Sequence, residues 1–263
     1  SSIFPPYYYD AKTQFLTMIL SQARVRDSWL LRSYNTPLNS LKNLNPIPVI
    51  QAIIIPPTFT TVADIIVELK YSTTDNFVGR DMYRDLEKAY LTPDFARKVV
   101  RAQQILRKRN PQLTLLIYDA ARPISVQKYM RKLVEGTKFQ DFVADGTKGG
   151  RHNYGVAVDL TIATNQGEPL DMGAGFDDFT DAAAVKGTSD TNDQANRNLQ
   201  VYRAYVNGLV KRGLISQDAA NNRMLLIEVM YEVGLYPYRR EWWHYEELAP
   251  MSEVRQTRRL LNF

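Results

Sequence analysis

Segments with strand periodicity and segments with helix periodicity interleave along this chain, but their spacing is irregular. Short apolar, alternating or aromatic runs that are typical of strands lie at 62–70, 113–118, 155–162 and 241–245. Apolar residues recur at helical spacing at 92–110, 196–212 and 217–233. Repeating βαβ units would need regular alternation of the two patterns. The sequence therefore predicts an α+β fold, with a central, mostly antiparallel sheet flanked by helices.

The first 60 residues have a different character from the rest of the chain. The amphipathic stretch Ala11–Leu31 is followed by a loop in which prolines recur between positions 37 and 57. A chain of 263 residues is long for one domain but short for two. We therefore predict an N-terminal extension of unknown role at 1–60 and one folded domain at 61–263.

Composition excludes several classes of site and partner. The chain has no cysteine, so disulfides, thiolate zinc sites and cysteine nucleophiles are excluded. The net charge of +5 comes from 33 basic and 28 acidic residues that are spread along the same stretches, which argues against a nucleic-acid partner. No apolar run reaches the roughly 18 residues of a membrane span. A start at Ser1 is compatible with a removed leader peptide, so we expect a periplasmic or cell-envelope location, with the cytoplasm as the alternative.

The two histidines of the chain, His152 and His244, each have a carboxylate nearby. Gly155 permits a bend that would let His152 and Asp159 converge from an otherwise extended segment. Two imidazoles and one carboxylate suit zinc and leave a fourth position open, as in a catalytic rather than a structural site. The alternative interpretation is that these are ordinary hydrogen-bonded histidines.

Two further charged residues are candidates for catalysis. Glu241 lies three residues before His244, where its carboxylate would serve as a base, although Trp-rich segments are also common in cores. Arg122 ends a predicted strand-to-turn segment before Pro123, so its guanidinium would be held toward a developing oxyanion. A simple salt bridge with Asp119 is the alternative for Arg122.

Four segments together resemble the zinc D-alanyl-D-alanine dipeptidases of the vancomycin-resistance type, which belong to the D,D-peptidases with a hedgehog-type fold. The similar segments are residues 69–79, the Asp-x-x-Arg-Pro element at 119–123, the metal motif at 152–161 and Glu-Trp-Trp-His-Tyr at 241–245. The resemblance covers roughly 62–248 and implies a catalytic domain within 61–263. It also implies a hydrolase that cleaves D-alanyl-D-alanine or a similar cell-wall (peptidoglycan) dipeptide with a zinc-bound water.

The resemblance assigns roles to eight residues. It implies one zinc ion per chain held by His152, Asp159 and His244. It makes Glu241 the general base and acid, and Arg122 the group that steadies the tetrahedral intermediate. The substrate residues that it implies are Asp177, which would receive the free amino group, and Tyr71 and Asp119, which would line the site or orient Arg122.

One departure from the family pattern leaves the substrate preference open. The family usually has serine two positions before the first histidine, whereas this chain has Gly150. The alternatives are a D,D-carboxypeptidase or cell-wall endopeptidase of the same fold, which Asp177 disfavours, and a non-catalytic zinc-dependent binding module, which Glu241 and Arg122 disfavour. The oligomeric state stays open.

Overall fold

A computed structural model describes residues 65–84, 86, 88–144, 146–186 and 198–262 of the protein. The predicted extension at 1–60 lies outside these residues. Within them, five strands form a sheet in the order β1-β2-β3-β5-β4. The strands are β1 (Ile66–Val67), β2 (Leu113–Asp119), β3 (Ala157–Thr164), β4 (Tyr236–Pro237) and β5 (His244–Glu246). Only the β1–β2 pair is parallel, so the predicted α+β class with a mostly antiparallel sheet is confirmed.

Five helices accompany this sheet in the described part of the chain. They are α1 (Pro93–Arg109), α2 (Ile124–Val134), α3 (Leu199–Lys211), α4 (Gln217–Glu232) and α5 (Met251–Thr257). Helix α1 packs against β2, α4 packs against β3 and α1, and α3 packs on α4. Because both faces of the central strands are covered, every residue of β2 is buried.

The local sequence explains where the predicted helices begin and end. Thr92 precedes Pro93 at the start of α1, and Asn110 caps its other end. Ser216 caps α4 by accepting a hydrogen bond from the backbone of Ala219 at 3.0 Å. Gly213 and Gly234, which follow α3 and α4, have the positive φ values of common helix terminators.

Two predicted strands are shorter than expected in the residues that the structure describes. Of the predicted strand at 62–70, the structure describes residues 65–70, and only Ile66–Val67 of these form β1, because the chain turns into a short 3-10 helix at Lys70–Ser72. The predicted strand at 241–245 is paired only from His244 onward, and the backbone NH of Glu241 donates to the carbonyl of Tyr238 at 3.1 Å. The segment before His244 is therefore a turn, which brings Glu241 back toward the histidine.

Candidate active site and metal centre

Three of the predicted site residues lie in one row across neighbouring strands. Asp119 at the end of β2 pairs with Asp159 on β3, and Asp159 pairs with His244 on β5. Side chains that are directly opposite each other in a sheet are close neighbours. The antiparallel register therefore joins residues that are far apart in the sequence.

His152 reaches this row from a short 3-10 helix, Arg151–Tyr154. Gly155 ends that helix with φ +67°, a left-handed conformation that favours glycine. Its backbone NH donates to the carbonyl of His152 at 3.1 Å. This is the bend that the sequence predicted, and it turns His152 back toward Asp159.

The three predicted metal ligands form a compact triangle. Nε2 of His152 lies 3.1 Å from Nδ1 of His244, and Oδ1 of Asp159 lies 3.2 Å and 3.0 Å from these two nitrogens. Tetrahedral zinc with bonds of about 2.0 to 2.1 Å would need edges of about 3.3 Å between ligand atoms. The spacing of the three atoms therefore fits a zinc ion.

The hydrogen bonds on the far sides of the two imidazoles favour a cation as well. Nδ1 of His152 lies 2.6 Å from the carbonyl oxygen of Ala120, and Nε2 of His244 lies 3.1 Å from a carboxylate oxygen of Glu246. Because both partners are acceptors, these nitrogens carry the protons. The other nitrogen of each ring then faces its counterpart and Asp159, an arrangement that needs positive charge between the three atoms, from a metal ion or from a proton in its place.

The charge balance of the triangle leads to the same conclusion. Burial alone would raise the pKa of Asp159, but the charge and hydrogen bonds of His152 and His244 hold it well below its ordinary value. Burial lowers the pKa of His244, whereas Asp159 and Glu246 outweigh it and raise that pKa to about 10. Positive charge is thus stabilised at this point of the structure.

Glu241 lies beside the triangle without being part of it. Its carboxylate is 3.9 Å from Nδ1 of His244. Burial raises the pKa of Glu241 to about 7, and the charge of Asp159 acts in the same direction. A bound cation would lower this pKa again. A carboxylate tuned toward neutral pH suits a group that must both accept and release a proton.

Arg122 is held on two sides. Its Nε and Nη2 donate to Oδ2 of Asp119 at 3.1 Å and 2.6 Å, and its Nη1 donates to Gln127 at 3.0 Å. Tyr83 donates to the other oxygen of Asp119 at 2.5 Å. The predicted salt bridge is therefore present. Arg122 also borders the cavity beside the triangle, so the salt bridge does not exclude the role at an oxyanion, which stays a prediction.

Asp177 lies at another point of the same cavity. The hydroxyl of Tyr71 donates to its two carboxylate oxygens, at 3.1 Å each. Burial and the charge of Asp159 raise the pKa of Asp177 well above its ordinary value, although the hydrogen bond from Tyr71 acts in the opposite direction. A cationic group would therefore be favoured next to this carboxylate.

The cavity brings together seven of the eight predicted site residues. Its volume is about 260 Å³, and its walls include Tyr71, Arg122, His152, Asp159, Asp177, Glu241 and His244. Asp119 is fully buried behind Arg122 and does not line the cavity. The structure therefore favours the orienting role for Asp119 over direct contact with a substrate.

Sequence reasoning missed several residues that support this site. Tyr83 and Gln127 support Asp119 and Arg122. Glu246 contacts His244 and Arg151. Arg223 holds the loop that carries Asp177. Glu246 had a detectable signal, because it lies two residues after His244 and so on the same face of a strand. Pairings between distant segments gave no such signal.

Gly150, the position of the departure from the family pattern, also borders the cavity. A Cβ atom added there would lie 3.2 Å from the Cβ of Ala144. A serine would therefore displace this neighbouring segment slightly. The packing around Gly150 therefore leaves little room for the serine side chain of the family pattern.

The comparison with protein families identifies this arrangement. The M15 peptidase family model, described as D-ala-D-ala dipeptidase, matches residues 57–258. The chain belongs to the M15 peptidase family. M15 peptidases are metal-dependent, and His152, Asp159 and His244 are a group that could hold the ion.

Three relatives within the M15 family share the name D-alanyl-D-alanine dipeptidase. The protein from Escherichia coli K12 is 30% identical over 183 residues, which cover 70% of this chain and 79% of the relative. The Enterococcus faecium protein is 26% identical, with 68% and 83% coverage. The Synechocystis protein is 22% identical, with 65% and 73% coverage. In the described residues of this M15 chain, the helices are too short or too polar to cross a membrane.

Proposed function

We propose that this protein is a zinc metallopeptidase that hydrolyses D-alanyl-D-alanine or a similar D,D-dipeptide. The observation that carries the proposal is a single cavity bordered by the His152–Asp159–His244 triangle, Glu241, Arg122 and Asp177. The names of the three relatives support the same substrate. A D,D-dipeptide of cell-wall origin favours a periplasmic or cell-envelope location, with the cytoplasm as the alternative, and cell fractionation would distinguish them.

His152, Asp159 and His244 would hold one zinc ion per chain. When bound, zinc supplies a Lewis acid that polarises a carbonyl group and makes water easier to deprotonate. The protein contributes the fixed orientation of the two imidazoles, through Ala120 and Glu246. Hydrolysis of the peptide bond also needs side chains that transfer protons and stabilise negative charge.

Glu241 would move the protons, and Arg122 would stabilise the developing charge. The Glu241 carboxylate accepts a proton from the attacking water as the water oxygen bonds to the peptide carbon. It then delivers that proton to the leaving nitrogen as the C–N bond breaks. Arg122, which is fixed by Asp119, donates to the carbonyl oxygen while that oxygen carries negative charge.

Asp177 and Tyr71 would restrict the substrate to dipeptides. The free ammonium of a dipeptide would pair with the Asp177 carboxylate, which Tyr71 holds from the other side. An N-acylated or longer peptide brings no positive charge to this point and would leave the partly buried Asp177 carboxylate without a cationic partner. Such a mismatch costs several kcal/mol.

The test compares kcat/KM for D-Ala-D-Ala, its N-acetylated form and L-Ala-L-Ala with the zinc-loaded protein. We expect cleavage of the free D,D-dipeptide and a loss of several orders of magnitude on N-acetylation. Asp177→Asn should remove most of that discrimination. Its control is Asp178→Asn, because Asp178 is the next residue, does not line the cavity and accepts a hydrogen bond from the backbone NH of Thr180 at 3.0 Å.

Comparable kcat/KM values for the free and N-acetylated dipeptides would contradict the proposal. They would favour the D,D-carboxypeptidase or endopeptidase alternative. Stoichiometric zinc without hydrolysis of any of the three substrates would favour the non-catalytic binding module instead.

A further inference from the structure

Glu246 lies next to the metal centre and is not among the eight residues to which the resemblance assigns a role. It lies two residues after His244 on β5 and is buried. Its Oε2 atom is 3.1 Å from Nε2 of His244 and 2.8 Å from Nε of Arg151. One carboxylate oxygen therefore accepts a hydrogen bond from an imidazole and forms an ion pair with a guanidinium.

The contact with Glu246 determines which nitrogen of His244 faces the triangle. Since a carboxylate accepts the Nε2 proton, Nδ1 is left with its lone pair directed at Asp159 and His152. His152 uses the opposite nitrogen, because Ala120 fixes its Nδ1. The two imidazoles thus depend on different partners. The partner of His152 is a backbone carbonyl, whereas the partner of His244 is a side chain, which a mutation can remove.

Arg151 gives the Glu246 carboxylate its counter-charge. It precedes His152 in the 3-10 helix, and its side chain is only 12% exposed. A buried carboxylate is costly unless it is paired, and the ion pair with Arg151 at 2.8 Å supplies that partner. Arg151 therefore links the segment that carries His152 to the strand that carries His244.

We propose that Glu246 and Arg151 form a positioning pair that orients His244 and sets how tightly the site binds zinc. This inference rests on the metal centre of the proposed function. Partners of this kind behind a metal-binding histidine change metal affinity by about 10- to 100-fold when they are removed. Neither residue needs to contact the substrate for this effect.

The test measures zinc affinity without substrate, by competition with a chromophoric chelator. Glu246→Gln should weaken zinc binding by about 10- to 100-fold. Glu247→Gln is the matched control, because Glu247 is the next residue of the chain and pairs with Lys98 at 2.6 Å, outside the cavity lining. Its zinc affinity should equal that of the wild type.

Variants of Arg151 provide a second, independent test of the pair. Arg151→Met should weaken zinc binding in the wild-type background but add little in the Glu246→Gln background, since both changes break one interaction. Arg151→Lys should restore part of the affinity. These variants carry the test if Glu246→Gln does not fold.

Thermal unfolding of the metal-free variants separates positioning from general stability. A purely structural pair would lower the unfolding temperature and leave the zinc affinity of the folded protein unchanged, which would overturn the inference. Equal losses of affinity in Glu246→Gln and Glu247→Gln would also overturn it. Wild-type protein that binds zinc but does not cleave dipeptides would instead contradict only the proposed function.

Discussion

Besides Glu246, four carboxylates lie at or behind the cavity, and their neighbours differ. Asp119 is paired with Arg122, and Asp159 faces two imidazoles. Asp177 accepts hydrogen bonds from a neutral hydroxyl, and burial raises the pKa of Glu241 to about 7. Asp119 and Asp159 are therefore suited to hold positive charge, whereas Glu241 is suited to exchange protons.

The role of Glu241 predicts the effect of its amide replacement. Glu241→Gln should keep the zinc content and the fold, because Glu241 is not one of the three ligands. It should lower kcat by about 10² to 10⁴, since an amide neither accepts the proton of water nor delivers one to the leaving nitrogen. Steady-state kinetics with elemental analysis of the same sample checks both parts.

Two outcomes would assign Glu241 a different role. Turnover close to that of the wild type would exclude it as the base. Loss of zinc together with loss of turnover would make it a ligand rather than a proton carrier.

At the level of single residues, the sequence predicted the reactive groups better than their supports. His152, His244, Asp159 and Glu241 were recognisable because their side chains are scarce or closely spaced. Glu246 was detectable by strand periodicity. The contact between Arg151 and Glu246 depends on how β5 docks beside the 3-10 helix, which no local pattern encodes.

Among the structural elements, the loop that carries Asp177 depends on helix α4. Arg223 on α4 is fully buried and donates to the carbonyls of Met172, Ala182 and Ala184. These carbonyls lie on both sides of Asp177, whose φ of +60° is uncommon for a residue other than glycine. Trp242 adds a hydrogen bond to the carbonyl of Ala174 at 3.1 Å. The loop is therefore tied down around its acidic residue.

This anchoring predicts a large effect for Arg223→Met. Removing the guanidinium leaves several buried carbonyls without a partner and should lower the free energy of unfolding by about 2 to 5 kcal/mol. It should also raise KM for the dipeptide, because Asp177 loses its fixed position. Urea unfolding in excess chelator measures the first effect without a contribution from zinc binding.

Arg203→Met is the matched control for Arg223→Met. Arg203 pairs with Glu228 on the neighbouring helix and its side chain is 53% exposed, so its loss should cost less than about 1 kcal/mol. Equal destabilisation by the two changes would contradict the anchoring role of Arg223.

Elements with clear start and stop signals were predictable, and short elements were not. The bounds of α1 follow from Pro93 and Asn110. Helix α2 was missed because one of its buried positions is the polar Gln127, which interrupts the apolar periodicity. The buried Gln127 accepts a hydrogen bond from Arg122, a tertiary contact that the local sequence pattern does not show. Strand β5 is short because the turn at Glu241 precedes it.

For the whole molecule, the sheet brings the site residues together from distant parts of the sequence. Antiparallel pairing of β2, β3 and β5 aligns Asp119, Asp159 and His244 in one row. The fold class followed from the irregular order of strand and helix patterns, but the strand register did not, because it depends on packing between segments distant in sequence. The division into an extension at 1–60 and a catalytic domain at 61–263 stays a prediction.

A zinc titration of the metal-free protein, with D-alanine release from D-Ala-D-Ala as the signal, shows whether hydrolysis requires a zinc ion held by the ligand triangle. The ligand triangle predicts no turnover after chelation and a linear rise with added zinc that stops at one equivalent per chain. His244→Ala should show neither tight binding nor turnover. Turnover that survives chelation, or that His244→Ala retains after the same zinc addition, would contradict a zinc-dependent mechanism at this triangle.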